Sequence, residues 1–204
     1  NELSEDGTVA VPVFVPSPDG KLIAYAIADG GSDWNTVRIL DVDSGENYHD
    51  VLTRTRYSFI GWLADSSAFF YVRYPERSGR DMQYNQIWLH KIGTPMTADV
   101  LIFETPDIPR LNYIGTLTDD YAYIVINAWE YLNGNRLWVL PLSELPPSPF
   151  EAAQEGKPLL AGKEIRLWDS GADEVNFAGN IGTRFYASTA AGAAKGRVVY
   201  IDVN

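Results

Sequence analysis

The sequence predicts an all-β fold, a partial β-propeller of about four blades, each a four-stranded antiparallel meander. Three observations carry this reading. Short runs rich in β-branched and aromatic residues alternate with period two between Gly, Pro, Asp and Asn, whereas amphipathic 3.6-residue periodicity is nearly absent. The runs follow a repeated four-beat order. Third strands centre near Ile39, Leu89, Val139 and Tyr200, a spacing of about 50 residues whose last interval is longer. Units of this kind are sheets that must bury both faces against neighbours, which is how propeller blades stack. A β-sandwich with long hairpins is the architectural alternative, but sandwiches seldom repeat a four-beat unit so regularly.

The first unit has strands over Val9 to Val15, Leu22 to Ala28 and Thr36 to Asp41, then a short strand from Glu46, with turns at Ser17-Pro18-Asp19-Gly20 and Asp43-Ser44-Gly45. The second has Ser58 to Trp62, Ala68 to Tyr74, Gln86 to Lys91 and Val100 to Glu104, turning at Ala64-Asp65-Ser66-Ser67. The third runs through Asn112 to Leu117, Ala122 to Ala128 and Arg136 to Leu140 to a weak strand near Pro158 to Leu160, turning at Thr118-Asp119-Asp120. The fourth has Val175 to Gly179, a turn at Asn180-Ile181-Gly182, Arg184 to Ser188 and Arg197 to Asp202, and stops before a fourth strand. One domain over residues 1–204 is expected, with blades at about 1–55, 56–106, 107–162 and 163–204. The single helical candidate, Phe150 to Gln154, is too short to set the architecture.

Composition excludes several classes of function. The 204 residues are 46% hydrophobic and 21% charged, enough apolar matter for a substantial core. The net charge of -11, from 27 acids against 16 bases, repels phosphate backbones and anionic lipid, so neither nucleic acid nor membrane is expected as a partner. The absence of cysteine rules out disulfides, a thiolate nucleophile and Cys-based metal sites. No apolar run approaches the roughly 18 residues that span a bilayer. The opening Asn1-Glu2-Leu3-Ser4 reads as an excised boundary rather than a signal peptide. A cytoplasmic location is expected, with the periplasm left open.

Particular residues narrow the family. The opening Leu3-Ser4-Glu5-Asp6-Gly7-Thr8-Val9-Ala10, the turn Ser17-Pro18-Asp19-Gly20 before Leu22-Ile23-Ala24-Tyr25, and the tetrad Gly31-Ser32-Asp33-Trp34 occur in that order. Tyr57-Ser58-Phe59-Ile60-Gly61-Trp62, Arg73-Tyr74-Pro75-Glu76, Gln86-Ile87-Trp88-Leu89-His90-Lys91, Asn135-Arg136-Leu137-Trp138 and Gly196-Arg197-Val198-Val199-Tyr200 follow. Together they resemble the propeller of the prolyl oligopeptidases, and the likeness spans nearly the whole chain. The resemblance implies a seven-bladed propeller over an α/β-hydrolase domain, an active site in the cavity between them, and cleavage of short peptides after proline. This chain would supply about four blades and none of the hydrolase domain.

No catalytic residue is expected in this chain. Acyl transfer by a serine peptidase needs a nucleophile on a strand-to-helix elbow, a histidine base and an orienting carboxylate. Gly30-Gly31-Ser32-Asp33-Trp34 lacks the last glycine of such an elbow and lies between two strands. The two histidines, His49 in a polar turn and His90 on a third strand, read as structural, without a second histidine at ligand spacing. Asp41-Val42-Asp43-Ser44-Gly45-Glu46 has a faint calcium-loop look, but a hairpin turn explains it better. No cofactor and no metal are expected. Trp34, Trp62, Trp88 and Trp138 are assigned to packing between blades.

By analogy with the family, Tyr57 stands where an aromatic forms part of the third-subsite wall. Trp129 follows the second strand of the third blade, where relatives carry a basic residue before Glu and Gly. The order Trp129-Glu130-Tyr131 instead implies an apolar wall. Asn112 stands where an apolar subsite residue is usual. The expected function is non-catalytic, gating the entry of short proline-containing peptides to the hydrolase domain of the parent chain. The alternative is an autonomous protein-binding or self-associating propeller, paired through open blade edges.

Overall fold

The computed structural model describes residues 4, 7–56, 59–76, 82–130 and 134–204. Four antiparallel sheets follow one another along the chain. The first holds β1 (Ala10–Pro16), β2 (Leu22–Ala28), β3 (Trp34–Asp41) and β4 (Asn47–Arg56) in that order. The second holds β5 (Ile60–Trp62), β6 (Ala68–Arg73), β7 (Gln86–Lys91) and β8 (Val100–Glu104), and the third β9 (Asn112–Leu117), β10 (Tyr123–Trp129), β11 (Arg136–Pro141) and β12 (Ile165–Trp168). The last has three strands, β13 (Val175–Ile181), β14 (Arg184–Thr189) and β15 (Arg197–Asp202).

The hairpins between first and second strands share a device that the sequence repeats. Ser17 Oγ donates to Asp19 Oδ1 at 2.6 Å, Ser67 Oγ to Asp65 Oδ1 at 2.7 Å, and Thr118 Oγ1 to Asp120 Oδ1 at 2.7 Å. A hydroxyl bonded to an acid two residues away closes the turn through side chains, and these bonds hold all three carboxyls below their usual range. In the hairpin between β3 and β4, Asp41 Oδ1 accepts from the Ser44 N–H at 2.8 Å and Gly45 takes φ +71°. That stretch is therefore the hairpin turn the sequence favoured over a calcium loop.

Packing places the sheets in sequence order, face to face. One core joins Ala24, Ala26, Val37, Ile39 and Leu52 of the first sheet to Ile60, Trp62, Phe69 and Tyr71 of the second. A second joins Phe70, Val72, Ile87 and Leu89 to Tyr113, Ile124, Ile126 and Trp138 of the third, and a third joins Val125, Leu137 and Val139 to Val175, Phe185 and Ala187 of the last. Adjacent residues of β6 thus point into different cores, which is why Ala68-Phe69-Phe70-Tyr71-Val72 is apolar throughout rather than alternating. Three stacked cores fit blades and do not fit the two facing sheets of a sandwich. The outer faces of the first and last sheets keep large apolar side chains in view, with Phe14 68%, Ile181 75%, Val198 70% and Tyr200 62% exposed.

Several expectations are corrected. Pro158 to Leu160 is not a strand of the third sheet. Its N–H groups at Leu159 and Leu160 donate to the carbonyls of Leu101 and Ile102, so the segment straps the outer edge of β8. The fourth strand of the third sheet is β12, which carries that sheet to Trp168, past the expected limit of 162. The helical candidate is a single turn, α1 (Pro149–Ala152). β4 is ten residues long rather than short, and His49 lies in it, exposed, rather than in a turn. The last hairpin keeps Asn180 and Ile181 in β13, paired as far as Ile181 with Arg184, and turns at Gly182 with φ +57°.

Phe59 shows how tightly the second and third sheets close. A Cβ added to Gly115 would meet its ring at 2.6 Å, and one added to Gly61 would meet it at 2.8 Å. The ring packs directly against two glycines, one on β5 and one on β9, so a methyl group at either has to displace it. Gly115→Ala is expected to lower stability by about 1–3 kcal/mol, the usual cost of overpacking. Urea unfolding should show a lower midpoint at unchanged slope, and trimming the ring by adding Phe59→Leu should restore part of the loss.

Candidate functional site

The first strands of three sheets converge. Val13 and Val15 of β1, Ile60 and Trp62 of β5, and Gly115 to Leu117 of β9 line one hollow of about 470 Å³. These are the inner strands of a propeller, and β4, β8 and β12 are the outer ones. The hollow has two ends. The first-to-second hairpins lie at one, where Pro16, Pro18, Asp119 and Tyr121 join the lining, and at the opposite end of the sheets antiparallel pairing brings Ala28 opposite Asn35, Arg73 opposite Gln86 and Ala128 opposite Arg136.

The structure brings two of the three sequence-derived site residues together at this second, loop-bearing end. Asn112 opens β9, Trp129 closes β10, and the two are register partners. Tyr57 lies outside the described residues. Asn112 is held from both sides of its carboxamide, accepting from the Tyr74 hydroxyl at 2.7 Å and donating to the Arg110 carbonyl at 3.1 Å. Tyr74 is itself buried, and its ring meets Trp34 edge-on at 5.6 Å and 80°. Trp34 belongs to the first sheet, Tyr74 follows the second, and Asn112 begins the third, so one phenol ties three sheets at this end.

Charge is arranged around that tie. The Arg54 guanidinium lies 5.0 Å over Trp34 and donates to the carbonyl of Pro75 at 3.2 Å, an attraction of cation to ring face that fixes the chain leaving β6. Asp33 pairs with Arg56 across the first sheet. Beside Trp129, Arg136 bonds Glu130 at 2.9 Å and lies 3.5 Å from Asp169, which also accepts from the Trp138 indole at 2.8 Å. The wall is therefore aromatic and amide in character, with Asp33 and Arg56, and Glu130 and Arg136, in ion pairs beside it.

No acyl-transfer machinery appears among these groups. Ser32 sits in the loop between β2 and β3, where its Oγ accepts from the Trp34 N–H at 3.1 Å, and a strand rather than a helix follows. His90 is fully buried with a carboxylate on each ring nitrogen, the hydrogen-bonded structural role expected of it. Trp62 and Trp138 are buried packing residues as expected, while Trp34 and Trp88 are half-buried and carry arginines on their ring faces. Among the described residues no group of three or more His, Asp or Glu is arranged to hold a metal ion, and no helix is long and apolar enough to cross a membrane. The tie through Tyr74 escaped the sequence reading, although Arg73-Tyr74-Pro75-Glu76 was one of the stretches that carried the resemblance.

Comparison with known proteins decides the family. The profile of the prolyl oligopeptidase N-terminal β-propeller domain matches residues 1–204. The chain belongs to the prolyl oligopeptidase family. It is 36% identical over 148 residues to a prolyl endopeptidase of Elizabethkingia meningoseptica, a match covering 70% of this chain and 21% of the relative. It is 28% identical to prolyl oligopeptidase A of Galerina marginata, covering all of this chain and 29% of the relative. Prolyl oligopeptidase B of G. marginata, solved bound to a 35-residue hydrolysis and macrocyclization substrate, superposes with a TM-score of 0.79 at 25% identity, covering 100% of this chain and 28% of that one. The chain thus spans less than a third of the length of these relatives, and its sheets are blades of the family's propeller.

The tie yields a prediction. Tyr74→Phe removes one buried donor and leaves the Asn112 carbonyl oxygen without it, which is expected to cost about 0.5–1.5 kcal/mol. Trp34→Ala, which removes the ring that both Tyr74 and Arg54 meet, should cost more than Tyr74→Phe, because it takes away the edge-on ring contact and the cation's ring face together. Denaturant unfolding of the two variants gives the order.

Proposed function

We propose that this chain is the non-catalytic, gating part of a prolyl oligopeptidase-like serine peptidase that cleaves short peptides after proline. The observation that carries the reading is the join of a full-length match to the family's propeller with an aromatic and amide cluster at the end of the sheets opposite the first-to-second hairpins. In this reading the loop end faces the α/β-hydrolase domain of the parent chain, and the propeller excludes folded proteins by size. Tyr57 and Trp129 contribute apolar surface to the substrate wall. Asn112, whose carboxamide is held by Tyr74 and Arg110, shapes the wall rather than reaching for substrate. The likeness to a relative solved with a 35-residue substrate supports peptide as the ligand class. A cytoplasmic setting is proposed for the parent enzyme.

A second reading is an autonomous protein-binding or self-associating propeller. It draws on the exposed apolar faces of the first and last sheets, around Phe14 and around Ile181, Val198 and Tyr200. Light scattering on the purified chain separates the two, since a stable monomer at micromolar concentration argues against self-association.

The gating reading is tested in a chimera, with this chain replacing the matching segment of the E. meningoseptica enzyme. The chimera is expected to cleave a short proline-containing peptide and to leave a folded protein uncut. Tyr57→Ala and Trp129→Ala in it should raise KM about tenfold, equivalent to about 1.4 kcal/mol, with kcat within about twofold, the pattern of lost uniform binding. Equal cleavage of folded protein and short peptide would overturn the gate. Unchanged KM in both variants would remove these residues from the wall.

A further inference from the structure

A closed group of charged side chains joins the first two sheets, remote from the inner strands. His90 on β7 is fully buried. Its Nδ1 lies 2.6 Å from Asp99 Oδ1, and its Nε2 lies 2.7 Å from Asp50 Oδ1 on β4 of the neighbouring sheet. Both carboxylate side chains are buried as completely as the ring, at 0% and 1% exposure. Asp50 Oδ1 also accepts from the Gly93 N–H at 2.7 Å, and Asp99 Oδ2 accepts from the Tyr71 hydroxyl. Behind Asp99, Arg73 lies 3.8 Å from the carboxylate, donates to the Tyr71 oxygen at 3.2 Å and stacks 3.7 Å over Trp88. The remaining face of the imidazole meets the Phe69 ring at 5.4 Å, while Lys91, next along β7, lies over Phe150 instead.

This geometry asks for one protonation state. A neutral imidazole carries a single N–H, so its bare nitrogen would set a lone pair against a carboxylate oxygen less than 3 Å away. Only the imidazolium donates to both. The charges close in the same state, because imidazolium and guanidinium balance two carboxylates, whereas deprotonation leaves an uncompensated negative charge out of contact with water. Tyr71 does not supply the missing proton to solvent, since burial and the adjacent Asp99 push its hydroxyl well above the usual range and keep it a donor.

We propose that His90 is a pH-operated latch between the first and second blades: its imidazolium bonds Asp50 of one to Asp99 of the other, and loss of its proton releases the outer half of the first blade. The direction follows from the balance at the ring. Burial works against the charged form, but the hydrogen bonds and charges of Asp99 and Asp50 outweigh it and hold the His90 pKa above its ordinary value. A group raised on folding contributes fully below its unfolded pKa of about 6.5, and that contribution disappears as pH rises through the folded value. Release would bare the apolar face that Leu52 of β4 shares with Phe69 and Tyr71 of β6.

The purified chain is the material for the test. Nitrogen-15 NMR of the histidine rings should show both nitrogens of His90 protonated at pH 7. The thermal midpoint should fall as pH rises above about 6.5, with the unfolding equilibrium constant rising about tenfold for each unit by which the folded pKa exceeds the free one. His90→Gln and Asp50→Asn should start lower and lack that slope. Hydrogen exchange corrected for intrinsic rates should show the β4 amides losing protection over the same range, while those of β10 and β11 keep theirs. This local readout needs only the wild-type chain, so it decides the question even where a variant fails to fold. A singly protonated ring at pH 7, or β4 protection that does not change with pH, overturns the latch.

Discussion

Everything in this chain depends on the fact that a twisted four-stranded sheet with two apolar faces cannot be stable by itself. Burying one face leaves the other in water, and each large aliphatic or aromatic side chain left exposed forgoes roughly 1.5–3 kcal/mol. The chain answers by stacking its sheets in sequence, so that β6 and β10 sit in the middle of the molecule and are apolar on consecutive residues. The same rule explains the end sheets. The second and third blades have neighbours on both sides, whereas the first and last present faces with no neighbour within the chain.

Local chemistry was legible in the sequence because it is written within a few residues. The bounds of β2, β7, β8 and β9 follow from apolar runs between turn residues, and the Ser-Asp and Thr-Asp hairpins declare themselves by spacing. What failed was partner choice. Pro158 to Leu160 looks like extended chain in the sequence but enters a turn at Leu159, and nothing in those three residues says that their hydrogen bonds go to β8 rather than β11. β12 was missed for the same reason in reverse. Ile165–Trp168 is short and interrupted by Arg166, and it becomes a strand by pairing with β11 across a register shift.

The candidate site divides along the same line. The family resemblance singled out Asn112 and Trp129, and the pairing of β9 with β10 makes them neighbours. The bond from Tyr74 to Asn112 crosses 38 residues, and that from His90 to Asp50 crosses 40. Neither leaves a periodic trace. A buried polar contact between distant segments follows from the fold's stacking, so it becomes visible only once the stacking is known. His90 could be read as a bonded histidine from its strand alone, while the identity of its two acids could not.

The strap over β8 also sets a schedule. The carbonyls of Leu101 and Ile102 are satisfied by N–H groups more than fifty residues further along the chain. A ribosome adding about 5–20 residues per second takes on the order of 3–10 s to deliver them. During that interval the second blade has its four strands but an open outer margin, available to any other extended chain nearby. Synthesis of the third blade ends the exposure, so the newborn protein closes its second blade only after most of its third has been made.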